Sequence, residues 1–145
     1  MKKAVLSILF IAFALSMNAN VDGRPITFNE LPKNAQTLLS QHFNVEHIML
    51  ITIDKEVFKT EYEVKFNDGT EVDFDRKGDL KKVDCKHQQV PDALVPPTVL
   101  EYVRTHYAQS FITEWGKDDL RWKAELNNGL DLIFNTKYQF VGFDD

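Results

Sequence analysis

Five residues in one short stretch have the types and spacing to bind a cation. Asp73, Asp75, Gly78, Asp79 and Asp84 fall at positions 1, 3, 6, 7 and 12 of a twelve-residue loop. Calcium takes six to eight oxygen ligands, and loops of this length supply them. The pattern breaks at two points. Lys77 occupies the fifth position, where an oxygen is needed, and Asp84 stands where a bidentate glutamate closes such loops. Two readings follow: a weak calcium site built from Asp73, Asp75, Asp79 and Asp84, or a solvated strand face ending in a turn. The residue pattern favours the second.

Other chemistry has less to stand on. The histidines are His42, His47, His87 and His106, with no His-Glu-x-x-His or paired-cysteine spacing to gather zinc ligands. His42 and His106 come at matching points in two similar segments, each in the last turn of an expected helix, where a histidine meets unpaired carbonyls and the negative end of the helix dipole. Cys85 is the only cysteine, so no internal disulfide can form, and it lies in an expected strand as a buried thiol. No Gly-x-Ser-x-Gly elbow and no glycine-rich phosphate loop occurs. The expectation is a protein that is not an enzyme and carries no cofactor, calcium being the one alternative.

The elements that position these residues are legible from a near-duplication. Tyr62-Glu63-Val64-Lys65-Phe66-Asn67-Asp68-Gly69 matches Trp122-Lys123-Ala124-Glu125-Leu126-Asn127-Asn128-Gly129, and the match continues through Val72/Leu132, Phe74/Phe134 and Lys77/Lys137. Upstream, Leu31-Pro32 matches Val95-Pro96, and His42-Phe43 matches His106-Tyr107. Proline suits a helix start because its missing N–H would be unpaired there anyway. Leu31, Ala35, Leu38, Leu39 and Phe43 keep helical spacing. Two-residue alternation then predicts strands over 45–54, 61–67, 70–75 and a short run to Cys85. In the second half strands are expected over 111–115, 120–126, 130–135 and 139–143, with 116–119 as a connection. The fold class is α+β: a tandem repeat of one helix plus about four antiparallel strands, with the helices packed on one face of the sheet. The predicted units are 20–85 and 86–145 within one compact domain, and how their two sheets join is left open.

The alternation also separates two faces. Tyr62, Val64 and Phe66 point inward, while Glu61, Glu63, Lys65, Glu71, Asp73, Lys123, Glu125 and Asp131 point to solvent. Most aromatic residues sit at inward positions and read as core. Trp115, Trp122, Tyr138 and Phe140 are candidates for exposed contacts, Tyr138 because it stands at a turn where the first unit has Gly78. Together with Glu61, Glu63 and Lys65 they form the expected binding set for a protein or peptide partner.

Lys2 and Lys3 precede an apolar run from Ala4 to Leu15 that is too short to cross a bilayer, which takes roughly 20 residues. This is the pattern of a secretory signal peptide over residues 1–19, cleaved after Ser16 or Ala19. Without it the chain is more acidic than its full-length net charge of −5. That sign argues against nucleic acid and against an anionic membrane surface. No stable membrane anchor is expected, and the location is periplasmic or secreted.

The leader, the Leu31-Pro32 and Val95-Pro96 helix starts, the strand–turn–strand segments ending at Gly69 and Gly129, and Val72-Asp73-Phe74-Asp75 with Gly78 together resemble the PepSY-like periplasmic proteins, whose fold is similar to that of the β-lactamase-inhibitory protein. The resemblance covers nearly all of the chain beyond the leader. It implies a binding or inhibitory role outside the cytoplasm, with calcium suspected for some relatives, and no catalytic residues to carry over.

Overall fold

The computed structural model describes residues 23–144. The expected signal peptide lies outside the described residues. A two-residue strand β1 (Arg24–Pro25) opens the fold, followed by helix α1 (Lys33–His42) and strands β2 (Ile48–Lys55), β3 (Thr60–Phe66), β4 (Glu71–Asp75) and β5 (Leu80–Asp84). Helix α2 (Pro97–His106) and strands β6 (Ile112–Asp118), β7 (Arg121–Leu126), β8 (Asp131–Phe134) and β9 (Phe140–Phe143) complete it. Pro32 and Pro96 are the residues immediately before each helix, and Pro97 takes the first helical position. His106 ends α2 with its Nδ1 3.0 Å from the Tyr102 carbonyl, the contact with terminal helix carbonyls that its position predicts.

The expected tandem of helix-plus-four-strand units is corrected by the sheet. Among the described residues, nine strands form one antiparallel sheet in the order β1 to β9, with two α-helices. β5 pairs directly with β6, Val83 opposite Trp115 and Asp84 opposite Glu114, so no boundary divides the strands into two sheets. The physical reason is the edge. A four-stranded sheet ending at β5 would leave a row of unpaired N–H and C=O groups, and pairing with β6 satisfies it. β1 then lies on β2, with Arg24 opposite Ile53.

Local boundaries also differ. Val45–His47 is a 3-10 turn, capped by the Asn44 side chain accepting from Glu46 N–H, and the strand starts only at Ile48. Gly116-Lys117-Asp118 extends β6 instead of forming a connection, and Asp119 in the left-handed region (φ 51°) makes the turn with Leu120.

The core lies between the helices and one side of the sheet. Ala35 and Leu39 of α1 and Val99 and Val103 of α2 meet Val64, Val72, Phe74, Val83, Trp115, Ala124, Leu132 and Phe134, all buried. In-register pairing lines these up across the strands: Ile51, Val64, Val72, Val83, Trp115, Ala124 and Leu132 form one row. Cys85 follows β5, buried and free, with burial raising its thiol pKa to about 11.

One turn shows how tightly the sheet is bound to α1. Asp75 Oδ1 accepts from the N–H groups of Lys77 and Asp79, and Gly78 turns the chain at φ +82°. A Cβ on Gly78 would lie 2.3 Å from Asn34 Oδ1 and 2.6 Å from Pro32 Cβ. Gly129 has the same conformation (φ +87°) with nothing within 4 Å. Gly129→Ala therefore meets conformational strain alone, about 1 kcal/mol, whereas Gly78→Ala adds a collision with the start of α1 and should cost about 2 kcal/mol. Urea denaturation of both variants checks this, and equal losses would remove the collision from the account.

Candidate functional site

The sheet face opposite the helices carries charge from end to end. Strand alternation sends Glu61, Glu63 and Lys65 of β3 away from the core that holds Val64 and Phe66. Register then assembles a row that no single segment contains. Glu71 stands opposite Asp84, Asp84 opposite Glu114, Glu114 opposite Glu125, and Glu125 opposite Asp131. Five adjacent strands thus each contribute one carboxylate, over a width of roughly 19 Å at the usual strand spacing. Like charges placed directly opposite destabilise a sheet.

Lysines offset part of this. Lys86 Nζ lies 2.6 Å from Asp84 Oδ2 and 3.7 Å from Glu71 Oε1. Lys82 and Lys123 approach Glu114 Oε1 at 3.4 and 3.6 Å, and Lys123 reaches Asp131 at 3.8 Å. Two of its carboxyls shift in opposite directions: burial raises Asp84, but the hydrogen bonds from Lys86 outweigh it and hold that carboxyl below its ordinary range. Burial, then the neighbouring charges of Glu114 and Asp131, push the Glu125 carboxyl above its ordinary range. Burial pulls the Lys123 ammonium down, but Glu114, Asp131 and Glu125 outweigh it and hold its pKa up. A groove of about 580 Å³ lies against the middle of the row, lined by Asp84, Lys86, Phe111, Glu114, Glu125 and Asn127 among others.

A second, smaller cleft of about 220 Å³ opens between β2, β3 and β4, lined by Thr52, Asp54, Glu61, Tyr62, Glu63 and Asp73. Asp73 pairs in register with Glu63 on one side and Lys82 on the other. Its Oδ1 is shielded from solvent and accepts no hydrogen bond. Burial, with Glu63 adding to it, raises the Asp73 carboxyl from 3.8 to about 6.

The expected site residues divide between the two sides. Glu61, Glu63 and Lys65 are together on the open face, with Lys65 Nζ 2.7 Å from Glu63 and both Lys59 and Lys81 paired to Glu61. The four aromatic residues lie on the helix side instead. Trp115 is 2% exposed and belongs to the core, so it cannot contact a partner. Trp122 stacks on it at 5.0 Å, and Tyr138 lies 5.8 Å from Trp122. Tyr138 holds a left-handed φ of 61°, where the matching turn has Gly78, and its ring contacts offset that strain. Phe140 stacks on Tyr102 at 4.6 Å. Trp122, Tyr138 and Phe140 are partly buried against the core.

The four aspartates of the calcium pattern do not converge. Asp75 caps its own turn, Asp79 accepts from Asn34 at 3.0 Å, and Asp84 is bound to Lys86. Among the described residues no three His, Cys, Asp or Glu side chains are grouped to hold a metal ion. The row from Glu71 to Asp131 escaped the sequence, because Asp84 and Glu114 meet only through the β5–β6 pairing. The fully exposed Phe58 had a signal, an apolar pair with Val57 inside a connection.

A family model described as "Putative beta-lactamase-inhibitor-like, PepSY-like" matches residues 60–141. The chain belongs to the PepSY-like family. Three solved structures resemble this PepSY-like protein closely. A structure described as a putative periplasmic protein of the DUF2874 family from Bacteroides vulgatus has a TM-score of 0.81 at 30% identity, covering 86% of this chain and 98% of that one. A structure from Bacteroides thetaiotaomicron, described as a putative calcium-regulated periplasmic protein, has a TM-score of 0.79 at 32% identity, with the same coverage of 86% and 98%. A second Bacteroides vulgatus structure, a putative periplasmic protein of unknown function, has a TM-score of 0.75 at 29% identity, covering 82% and 95%. No curated protein matches the chain. Like these relatives, the PepSY-like protein is periplasmic. No helix among its described residues is long and apolar enough to cross a membrane.

Proposed function

We propose that this PepSY-like protein is a non-enzymatic periplasmic binding protein that recognises a protein or peptide across the open face of its sheet. The observation that carries this reading is the row Glu71–Asp84–Glu114–Glu125–Asp131, five opposed carboxylates on five neighbouring strands. Such an arrangement costs the free protein stability and gains a favourable field when a complementary surface arrives. The groove beside the row gives that surface a place to seat. The family's inhibitor-like description agrees with recognition in place of turnover. The charged residues Glu61, Glu63 and Lys65 extend the same face toward β2. The aromatic residues named from the sequence contribute by shaping the sheet, since they pack beneath it.

The experiment is saturable capture of a partner from periplasmic extract by the immobilised protein, compared with a Glu114→Lys, Glu125→Lys variant. A single saturating partner is expected, with affinity reduced at least about tenfold in the variant. Capture that never saturates, or that the variant retains in full, would overturn the reading.

A second reading is a calcium response. It draws on the calcium-regulated description of the 32% identical relative and on the unsatisfied Asp73 oxygen in the cleft with Asp54, Glu61 and Glu63. Calorimetric titration with calcium separates it: heat that disappears in Asp73→Ala supports the ion, and a flat titration at millimolar calcium removes it.

A further inference from the structure

The two edges of the sheet are built differently. β1 closes one edge with two exposed residues, Arg24 and Pro25, and proline has no N–H to offer a further strand. β9 closes the other as Phe140-Val141-Gly142-Phe143, with neither a charge nor a proline. Among the described residues no strand lies beyond it. Asp144 N–H donates to the Asp131 carbonyl at 3.1 Å, so the alternating N–H and C=O of Phe143 point away from β8. A register shift leaves Val141 as an extra residue near the hairpin, and the regular part of the edge is its C-terminal end.

The two sides of this edge differ in chemistry. Val141 and Phe143 are 55% and 56% exposed, although they are large and apolar. On the helix side Phe143, opposite Leu132, meets Phe140 at 5.4 Å, and Phe140 stacks on Tyr102, so an apolar tier runs out to the edge. On the open face Asp144 follows Asp131 and carries the carboxylate row one strand further. Lys123 is shared between Glu114 and Asp131 at 3.6 and 3.8 Å, and among the described residues no base pairs with Asp144.

We propose that an extended segment of the partner pairs with β9 as a further antiparallel strand, carrying an apolar side chain opposite Phe143 and a lysine or arginine opposite Asp144. This docking presupposes the partner-binding face described above and names the chemistry of what binds there. Outward N–H and C=O groups along a sheet edge are matched by another extended chain. Every pairing already in the sheet is antiparallel. In such a ladder the residues that exchange hydrogen bonds stand directly opposite and share a face. The residue bonded to Phe143 therefore lies on the helix side, against the exposed ring. Its neighbour falls on the open face beside Asp144, where a carboxylate is repelled and a base is attracted.

Fluorescence anisotropy of a short labelled peptide of alternating lysine and valine, titrated with the protein purified from the periplasm, tests this. Saturable binding is expected, and methylation of the valine nitrogens should abolish it, since those N–H groups face Phe143. Phe143→Pro removes the outward N–H and no bond to β8, and should weaken binding at least about tenfold. Asp144→Lys, at an exposed position, should weaken it at least about fivefold and bind a peptide of alternating glutamate and valine more tightly than the parent does. Circular dichroism checks that both variants keep the sheet. Glu114→Lys, Glu125→Lys alters β6 and β7, away from this edge, and should keep the peptide while losing the partner from extract. No saturable binding, equal binding of the N-methylated peptide, or full retention by Phe143→Pro would overturn the strand docking. A partner captured from extract as strongly by Phe143→Pro as by the parent would overturn it too and leave the acidic face standing. Failure of the parent to capture any partner, with the peptide bound as expected, would count against the face alone.

Discussion

Replacing Trp115 with alanine should cost about 3–5 kcal/mol, a large share of the stability of a domain this size. The indole is 2% exposed at the middle of the sheet, opposite Val83 on β5 and Ala124 on β7. Its ring stacks on Trp122 at 5.0 Å and 9°, and meets Phe134 at 6.1 Å and Tyr138 at 6.2 Å. Truncation opens a void at the seam where β5 joins β6, and the neighbours cannot collapse into it without breaking strand register. Trp122 loses the surface it stacks on as well. Equilibrium denaturation in urea measures the loss, and Trp115→Phe should recover more than half of it. The outcome also decides a functional question. A tryptophan that served as an exposed contact would change stability by less than about 0.5 kcal/mol on truncation. A loss that small would return Trp115 to the candidate contacts and undo the assignment of the core.

The reasons Trp115 was misplaced are general to this chain. Two-residue alternation reports which residues share a face, and it placed Tyr62, Val64, Phe66, Val72 and Phe74 correctly because hairpin turns at Asn67-Asp68-Gly69 tie those strands together locally. It carries no information about strands joined through a helix. The β5–β6 pairing links residues on either side of α2, so neither the single sheet nor the row from Asp84 to Glu114 could be read in advance. Boundaries failed where polar residues extend a strand past the core, as Lys117 and Asp118 do on the β6–β7 hairpin, and where apolar Val45 opens a 3-10 turn. Turn chemistry was more reliable: Asp75 and Asn135 each accept two backbone N–H groups at equivalent turns, one closed by Gly78 and the other by Tyr138.

Asp73→Asn should stabilise the protein at neutral pH, by up to about 3 kcal/mol, with the gain vanishing in acid. The direction follows from where the proton is held. Burial and the Glu63 charge raise the Asp73 carboxyl to about 6 in the folded protein, against 3.8 as the ordinary value. Between those two values the folded state holds the proton more tightly than the unfolded chain does. Wild-type stability therefore falls as pH rises from about 4 to 6, and above that range the full cost of an ionised, unsatisfied carboxylate is present. Asparagine keeps the shape and cannot ionise, so the difference between variant and wild type isolates this one group. Melting curves at pH 8 should separate the two proteins clearly, and curves at pH 3.5 should nearly coincide. A variant that is no more stable at pH 8 would show that Asp73 is ionised there without penalty. If the penalty is confirmed, it bears directly on recognition. A cationic group reaching the cleft beside Glu63 would find a carboxylate that the fold itself leaves unpaired, and binding would strengthen through the same pH range in which the free protein weakens.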